Sequence, residues 1–235
     1  MKVLAAFTDK SISEVLMEFY DPDPREPIKV LFYGDECSTD VVSSAKAGCP
    51  SAYNILKDMK ILDYGESLCV GFGFREAVDT YTHTVGKSAG LAFLLKFVGE
   101  ILEWKKQLNS TFTVMATGYV SDYTRNAHIN AVRSIQKKVL GAIDVLNQDD
   151  MIFYPLENDN EIPAELRKKA NDKGIKLISV STVQEAVKKL YDSLIEGPEP
   201  IEVDINGECI RQEGVEYFLE ADISEKEKND IIFTL

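Results

Sequence analysis

The stretch Thr84-Val85-Gly86-Lys87-Ser88-Ala89-Gly90 runs directly into Leu91-Ala92-Phe93-Leu94-Leu95-Lys96-Phe97-Val98, and this junction decides how the chain is read. Residues Ala89–Trp104 are apolar on nearly every side of a helical wheel, which predicts a helix enclosed by the rest of its domain. Ser88 then falls at the amino end of that helix, where unpaired backbone N–H groups and the helix dipole favour negative charge. Gly86 and Gly90 let the backbone come close to a bound group. A serine so placed has two readings. It is a helix cap, or it is a nucleophile with oxyanion donors within reach.

A second helical pattern lies downstream, over Asn130–Asn147. Val132, Ile135, Val139, Ala142 and Leu146 define one apolar face. On that wheel Lys137 points about 170° from the centre of the face, whereas Lys138 lies only about 70° from it, at the edge of the core. Burial of an ammonium lowers its pKa from about 10.4 towards a range where the amine serves as a base. The other reading of Lys138 is snorkelling, with the stem packed and the amine in water.

Around these two helices, residues 1–195 alternate strands and helices. Strands are predicted at Lys2–Phe7, Ile28–Tyr33, Leu68–Arg75, Thr111–Thr117, Met151–Tyr154 and Lys176–Val180. Further helices are predicted at Ser11–Phe19, Thr39–Met59 (broken or kinked by Pro50), Ala164–Asp172 and Val183–Leu194. The fold class is α+β, mixed sheets with packed helices. The Gly197-Pro198-Glu199-Pro200 stretch marks a joint. Beyond it, residues 196–235 form an acidic β-rich extension packed on the main domain, with a hairpin turn at Asn206-Gly207 and a further extended run at Val215–Ile223.

Composition narrows the function classes. The 235 residues carry 39 acidic and 26 basic side chains, net −13, and residues 196–235 hold 12 of the acidic and 3 of the basic ones. So acidic a chain is not built to take nucleic acid or an anionic membrane as its main partner. No run approaches the roughly 18 apolar residues of a membrane span, and the apolar run in the first residues is too short for a secretory signal. The expected location is the cytoplasm. Cys37, Cys49, Cys69 and Cys209 contain no C-x-x-C pair and fit buried reduced thiols, and His83 and His128 are the only histidines. No metal and no cofactor is expected.

Several short motifs, in order, resemble the proteolytic domain of Lon-type ATP-dependent proteases over residues 84–190. Gly86-Lys87-Ser88-Ala89-Gly90 stands in place of the G-P-S-A-G-like segment that carries the nucleophile. Met115-Ala116-Thr117-Gly118 matches A-M-T-G, and Ser134–Ala142 matches the segment that carries the general base, with Lys138 in register. Downstream, Tyr154-Pro155-Leu156-Glu157-Asn158, Glu161-Ile162-Pro163 and Val180-Ser181-Thr182-Val183-Gln184-Glu185-Ala186 follow the family's P-x-E-N, E-I-P and V-x-T-V-x-E-A order. The chain departs from the pattern at Val85 and Lys87, at Tyr119, and at Arg133-Ser134, where the family has a glycine pair.

The resemblance implies a stand-alone serine endopeptidase acting on polypeptide substrates. Ser88 and Lys138 would form the dyad, Thr117 would orient the lysine, and Gly86, Ala89 and Gly90 would shape the nucleophile loop. It also implies a homo-oligomer, and a separate ATPase or unfoldase if one is needed. Two further readings stand beside it. Gly86-Lys87-Ser88 ends like a phosphate-binding loop, although Tyr81 occupies a position where that loop needs glycine. A Lon-like domain without its motor and with an altered nucleophile loop is alternatively a non-catalytic interaction or regulatory protein. His83 is a second candidate base, and Tyr119 and Tyr123 are candidates to line a cleft.

Overall fold

A computed structural model describes residues 1–7, 12–33, 39–75, 87–106, 111–121, 124, 126–195, 202–205, 208–213 and 216–219. The chain divides into two compact units, Met1–Leu190 and Tyr191–Leu235. The first unit begins with strands β1 (Lys2–Ala6), β2 (Ile12–Tyr20) and β3 (Ile28–Phe32), helix α1 (Thr39–Asp58) and strand β4 (Leu68–Phe74). A 3-10 turn (Lys87–Ala89) then leads into α2 (Gly90–Lys106), followed by β5 (Thr113–Ala116), β6 (Tyr119–Val120) and β7 (Ile129–Asn130). Helix α3 (Ile135–Val145), β8 (Met151–Pro155), a 3-10 turn (Leu156–Glu161), α4 (Ala164–Asp172), β9 (Lys176–Val180) and α5 (Val183–Ile195) complete the order, with α5 running into the second unit. The second unit also holds β10 (Glu202–Ile205), β11 (Glu208–Glu213) and β12 (Glu216–Leu219), an antiparallel sheet in that order. The turn predicted at Asn206-Gly207 lies outside the described residues.

The fold is mixed α and β, built on a seven-stranded sheet ordered β3-β4-β2-β1-β5-β8-β9. β1, β5, β8 and β9 run parallel to one another, β2 is antiparallel to both its neighbours, and β3 is parallel to β4. Because side chains alternate across a strand, β1 serves two cores. Leu4 and Ala6 join Met115, Ile152 and Tyr154 beneath Val132, Ile135, Val139 and Ala142 at and just ahead of α3. The other face meets α2, which is buried over most of its length. There Phe93 sits among Phe32, Phe72 and Phe74, with ring centroids 5.2–5.4 Å apart.

Four local expectations change. The segment read as a helix over Ser11–Phe19 is strand β2, hydrogen-bonded between β1 and β4 over Ile12–Tyr20. Its Val15, Leu16 and Phe19 sit at helical spacing, but burial follows the strand period at Ser13 and Val15. Ladder pairing on both sides outweighs the weak local preference. The helix read from Asn130 begins five residues later, because Asn130 is in β7 and Ser134 turns the chain with left-handed backbone, φ 59° and ψ 35°. The stretch read as irregular after Thr117 contains the β6–β7 pair. Pro50 does not break α1, which is assigned as one helix from Thr39 to Asp58. Among the described residues no helix is long and apolar enough to cross a membrane.

Candidate active site

Thr117 lies one residue beyond β5, at the carboxyl end of a strand in the middle of the sheet, and it is fully buried. Its amide donates to the Phe153 carbonyl at 3.1 Å, which ties it to β8. By the strand alternation it shares a face with Met115, the face that α3 covers. The Thr117 hydroxyl donates to the Ser88 carbonyl at 3.3 Å, and the neighbouring Gly118 amide donates to the same oxygen at 2.7 Å. Leu91, at the start of α2, returns a bond from its amide to the Gly118 carbonyl at 3.1 Å. Two hydrogen bonds thus hold Ser88 to the end of β5, and a third ties the start of α2 to the same place.

The glycines of this region have steric reasons to be glycine. A Cβ on Gly118 would stand 2.8 Å from Ile129 Cγ2 and 3.0 Å from Leu91 Cβ. On Gly90 it would stand 1.9 Å from the Ser44 Oγ of α1. Ser44 cannot simply swing away, because its hydroxyl accepts from the Val120 amide at 3.2 Å. The close approach of α1 and β6 to the start of α2 therefore needs the small residue at position 90.

From the opposite side comes Lys138, on the fourth position of α3. Its residue exposure is 2%, so the stem does not carry the amine to water, and Nζ donates to Thr117 Oγ1 at 3.1 Å. Lys137, one residue earlier, is exposed. Burial lowers the Lys138 pKa to about 8; the cause is loss of hydration and not a neighbouring charge. The Thr117 hydroxyl, its own proton directed at Ser88 O, presents its lone pairs to the lysine. Ser88 Oγ and Lys138 Nζ share no direct hydrogen bond among the described residues. The link between them runs through Thr117.

Ser88 itself is half-buried and lies within the 3-10 turn, just ahead of α2. Ala89 is 1% exposed and packs inward. Lys87 lays its Nζ 4.9 Å from the centre of the Tyr119 ring, and 3.4 Å from its hydroxyl. Two positions where the chain departs from the Lon pattern are therefore in contact, a pairing that separation in sequence concealed. Gly86, His83, Val85, Tyr81 and Tyr123 lie outside the described residues, so neither the phosphate-loop reading nor His83 as base gains any geometry. His128 is exposed and forms a single bridge with Thr182.

Sequence reasoning missed the role of the turn after β8. Glu157 and Asn158 reach back to the segment ahead of α3 and hydrogen-bond its backbone. The signal in the sequence is only a Glu-Asn pair two residues after Pro155; that Asn158 is 1% exposed is known from the fold. Further on, Thr182 Oγ1 accepts from the Glu185 amide at 3.2 Å, and Glu185 accepts from the Ser181 amide and hydroxyl at 2.8 Å each. The T-x-x-E spacing is a helix cap for α5. Cys49 and Cys69 are buried free thiols, and burial drives the Cys49 pKa upward, which makes it inert. Cys37 and the Cys209 side chain lie outside the described residues. Compared with known proteins, the chain matches no family model, and no curated protein matches it significantly.

Proposed function

We propose that this chain is a serine peptidase of the Lon type, with Ser88 as nucleophile and Lys138 as general base. One observation carries the reading: an amine sealed from water is hydrogen-bonded to a threonine hydroxyl that is itself bonded to the backbone of the serine. Structural lysines are expensive to bury. A lysine whose pKa is brought to about 8 by burial holds a useful fraction of neutral amine near neutral pH.

In the proposed reaction neutral Lys138 Nζ accepts the Ser88 Oγ proton as Oγ bonds to the scissile carbonyl carbon. The carbonyl oxygen becomes an oxyanion, stabilised by backbone N–H groups close to Ser88 at the start of α2. The Lys138 ammonium then returns its proton to the leaving amine as the C–N bond breaks, leaving an acyl-serine. Water, deprotonated by the same amine, releases the acid and restores the serine. Thr117 keeps Nζ from drifting. A polypeptide substrate, a homo-oligomer and a separate unfoldase belong to this proposal through the resemblance alone.

A second reading, a non-catalytic Lon-like interaction or regulatory protein, draws on the absence of a direct Ser88–Lys138 hydrogen bond among the described residues. Such bonds are often formed only with substrate in place. The discriminating experiment is intact-mass detection of a peptidyl-boronate adduct. Wild type and Lys137→Ala should form it, whereas Ser88→Ala and Lys138→Ala should not. An adduct on folded Ser88→Ala would make another residue the nucleophile, and none on folded wild type would leave the second reading.

A further inference from the structure

We infer that Asn158, with Glu157 beside it, is a positioning residue that sets the height at which α3 delivers Lys138 to Thr117. The inference rests on the reading of Lys138 as the base. Asn158 is 1% exposed, and its carboxamide pairs with Val132 as an adjoining strand would. Oδ1 accepts from the Val132 amide at 2.8 Å, and Nδ2 donates to the Val132 carbonyl at 3.0 Å and to Glu161 Oε1 at 2.8 Å. Next to it, Glu157 Oε2 accepts from the Ala131 amide at 2.9 Å. A further bond runs from Gln136 Nε2 to the Glu161 carbonyl at 2.9 Å. One short turn therefore grips the chain on both sides of Ser134, the left-handed residue from which α3 springs.

The chain gripped by this turn, residues 129–136, acts as a strap whose other end is tied to the Thr117 side of the site. Ile129 and Asn130 pair with Val120 and Tyr119, which directly follow Thr117-Gly118. Thr117, β6, β7, Val132, Asn158, α3 and Lys138 thus form a closed circuit that ends in the 3.1 Å bond from Nζ to Oγ1. A helix advances about 1.5 Å per residue. A slip of α3 by a fraction of that lengthens the bond past hydrogen-bonding range and admits water to the amine.

The charged groups on the elements packed against α3 have partners of their own or face water. Asp159 is held by Tyr154 and Arg167, and Asp144 pairs with Lys169. Lys173 caps the Ile143 and Leu146 carbonyls, while Lys2, Glu165 and Lys168 are exposed. The protonation of Lys138 therefore reports how well the amine is buried, which makes it the readout for the strap.

The experiment is NMR of the full chain with 13Cε-labelled lysine, the Lys138 signal being assigned by its loss in Lys138→Met. The signal is expected to titrate near pH 8 in wild type. In Asn158→Ala it should move up by at least one pH unit, towards the solvated value of about 10.4. Glu157→Ala, altered at an exposed side chain, should move it the same way by less and decides the matter if Asn158→Ala does not fold. Glu157→Gln, which keeps an acceptor for Ala131, should restore the wild-type midpoint. Boronate addition at pH 7.5 should slow about tenfold per unit of upward shift.

If the variants lose thermal stability but leave the Lys138 midpoint unchanged, Asn158 is merely structural and the inference is overturned. The two failures are separable. A wild type that titrates as expected but never takes boronate removes the peptidase and leaves the strap. A reactive wild type whose midpoint is indifferent to both variants removes the strap and leaves the peptidase.

Discussion

Burial of Lys138 sets the stability of the fold against the chemistry proposed for the same side chain. Its folded pKa of about 8 lies below its unfolded reference of 10.5, so the folded state binds the proton less tightly than the unfolded chain does. The resulting penalty is fully present below about pH 8, fades as pH rises through the interval, and is gone above about 10.5. A shift of that size corresponds to about 3 kcal/mol. Lys138→Met should accordingly raise stability at pH 7 by roughly 2 kcal/mol while abolishing adduct formation. Urea unfolding at pH 7 and pH 10.5 checks it, since the gain should shrink at the higher pH. For the same reason the rate of Ser88 acylation by an activated ester should climb tenfold per pH unit and level off near pH 8. A limb centred near pH 6.5 would instead implicate a histidine base.

At the scale of elements, the amino end of α3 turns on a single left-handed residue, Ser134. Ser134 holds φ 59° and makes no side-chain cap hydrogen bond, so it bears the cost of left-handed backbone without the usual compensation. That conformation costs an L-residue roughly 1–2 kcal/mol, and glycine recovers part of it against a more flexible unfolded chain. Ser134→Gly should therefore stabilise the protein by about 0.5 kcal/mol, read as a higher urea midpoint at unchanged slope. A loss of stability would mean that Ser134 makes a contact its hydrogen bonds do not reveal. The start of α2 is governed by packing. Gly90 yields its Cβ space to Ser44, and Gly118 yields its own to Leu91 and Ile129.

At the scale of the molecule, two facing cores meet across one sheet, and the candidate site lies where strand β5 ends between them. Ser88 arrives from the side of α2 and Lys138 from the side of α3, so neither core alone assembles the pair. Met1–Leu190 forms one compact unit, and α5 continues to Ile195. A chain ending at Ile195 should unfold in a single cooperative transition and keep a dispersed NMR spectrum. It would also shed the carboxyl-terminal charge, leaving 27 acidic and 23 basic side chains. A broad, non-cooperative transition would show that residues 196–235 are needed for the fold.

The sequence by itself determined the parts whose physics is local. The apolar circumference of Ala89–Trp104 located α2, and the wheel of residues 132–146 found α3 apart from its starting residue and separated Lys138 from Lys137. The β5 and β8 patterns were legible for the same reason, since buried parallel strands read as short apolar runs. Tertiary structure decided what depends on partners far along the chain. Residues 12–20 became a strand because β1 and β4 supply hydrogen bonds on both sides, a gain no local window contains. Lys138 proved sealed and not snorkelling because Thr117, brought up by β5, meets its amine inside the core. Ser88, Thr117 and Lys138 were each visible as residues. Their connection through one hydroxyl is a product of folding, because hydrogen bonds form between positions in space and the order of the chain does not encode those directly.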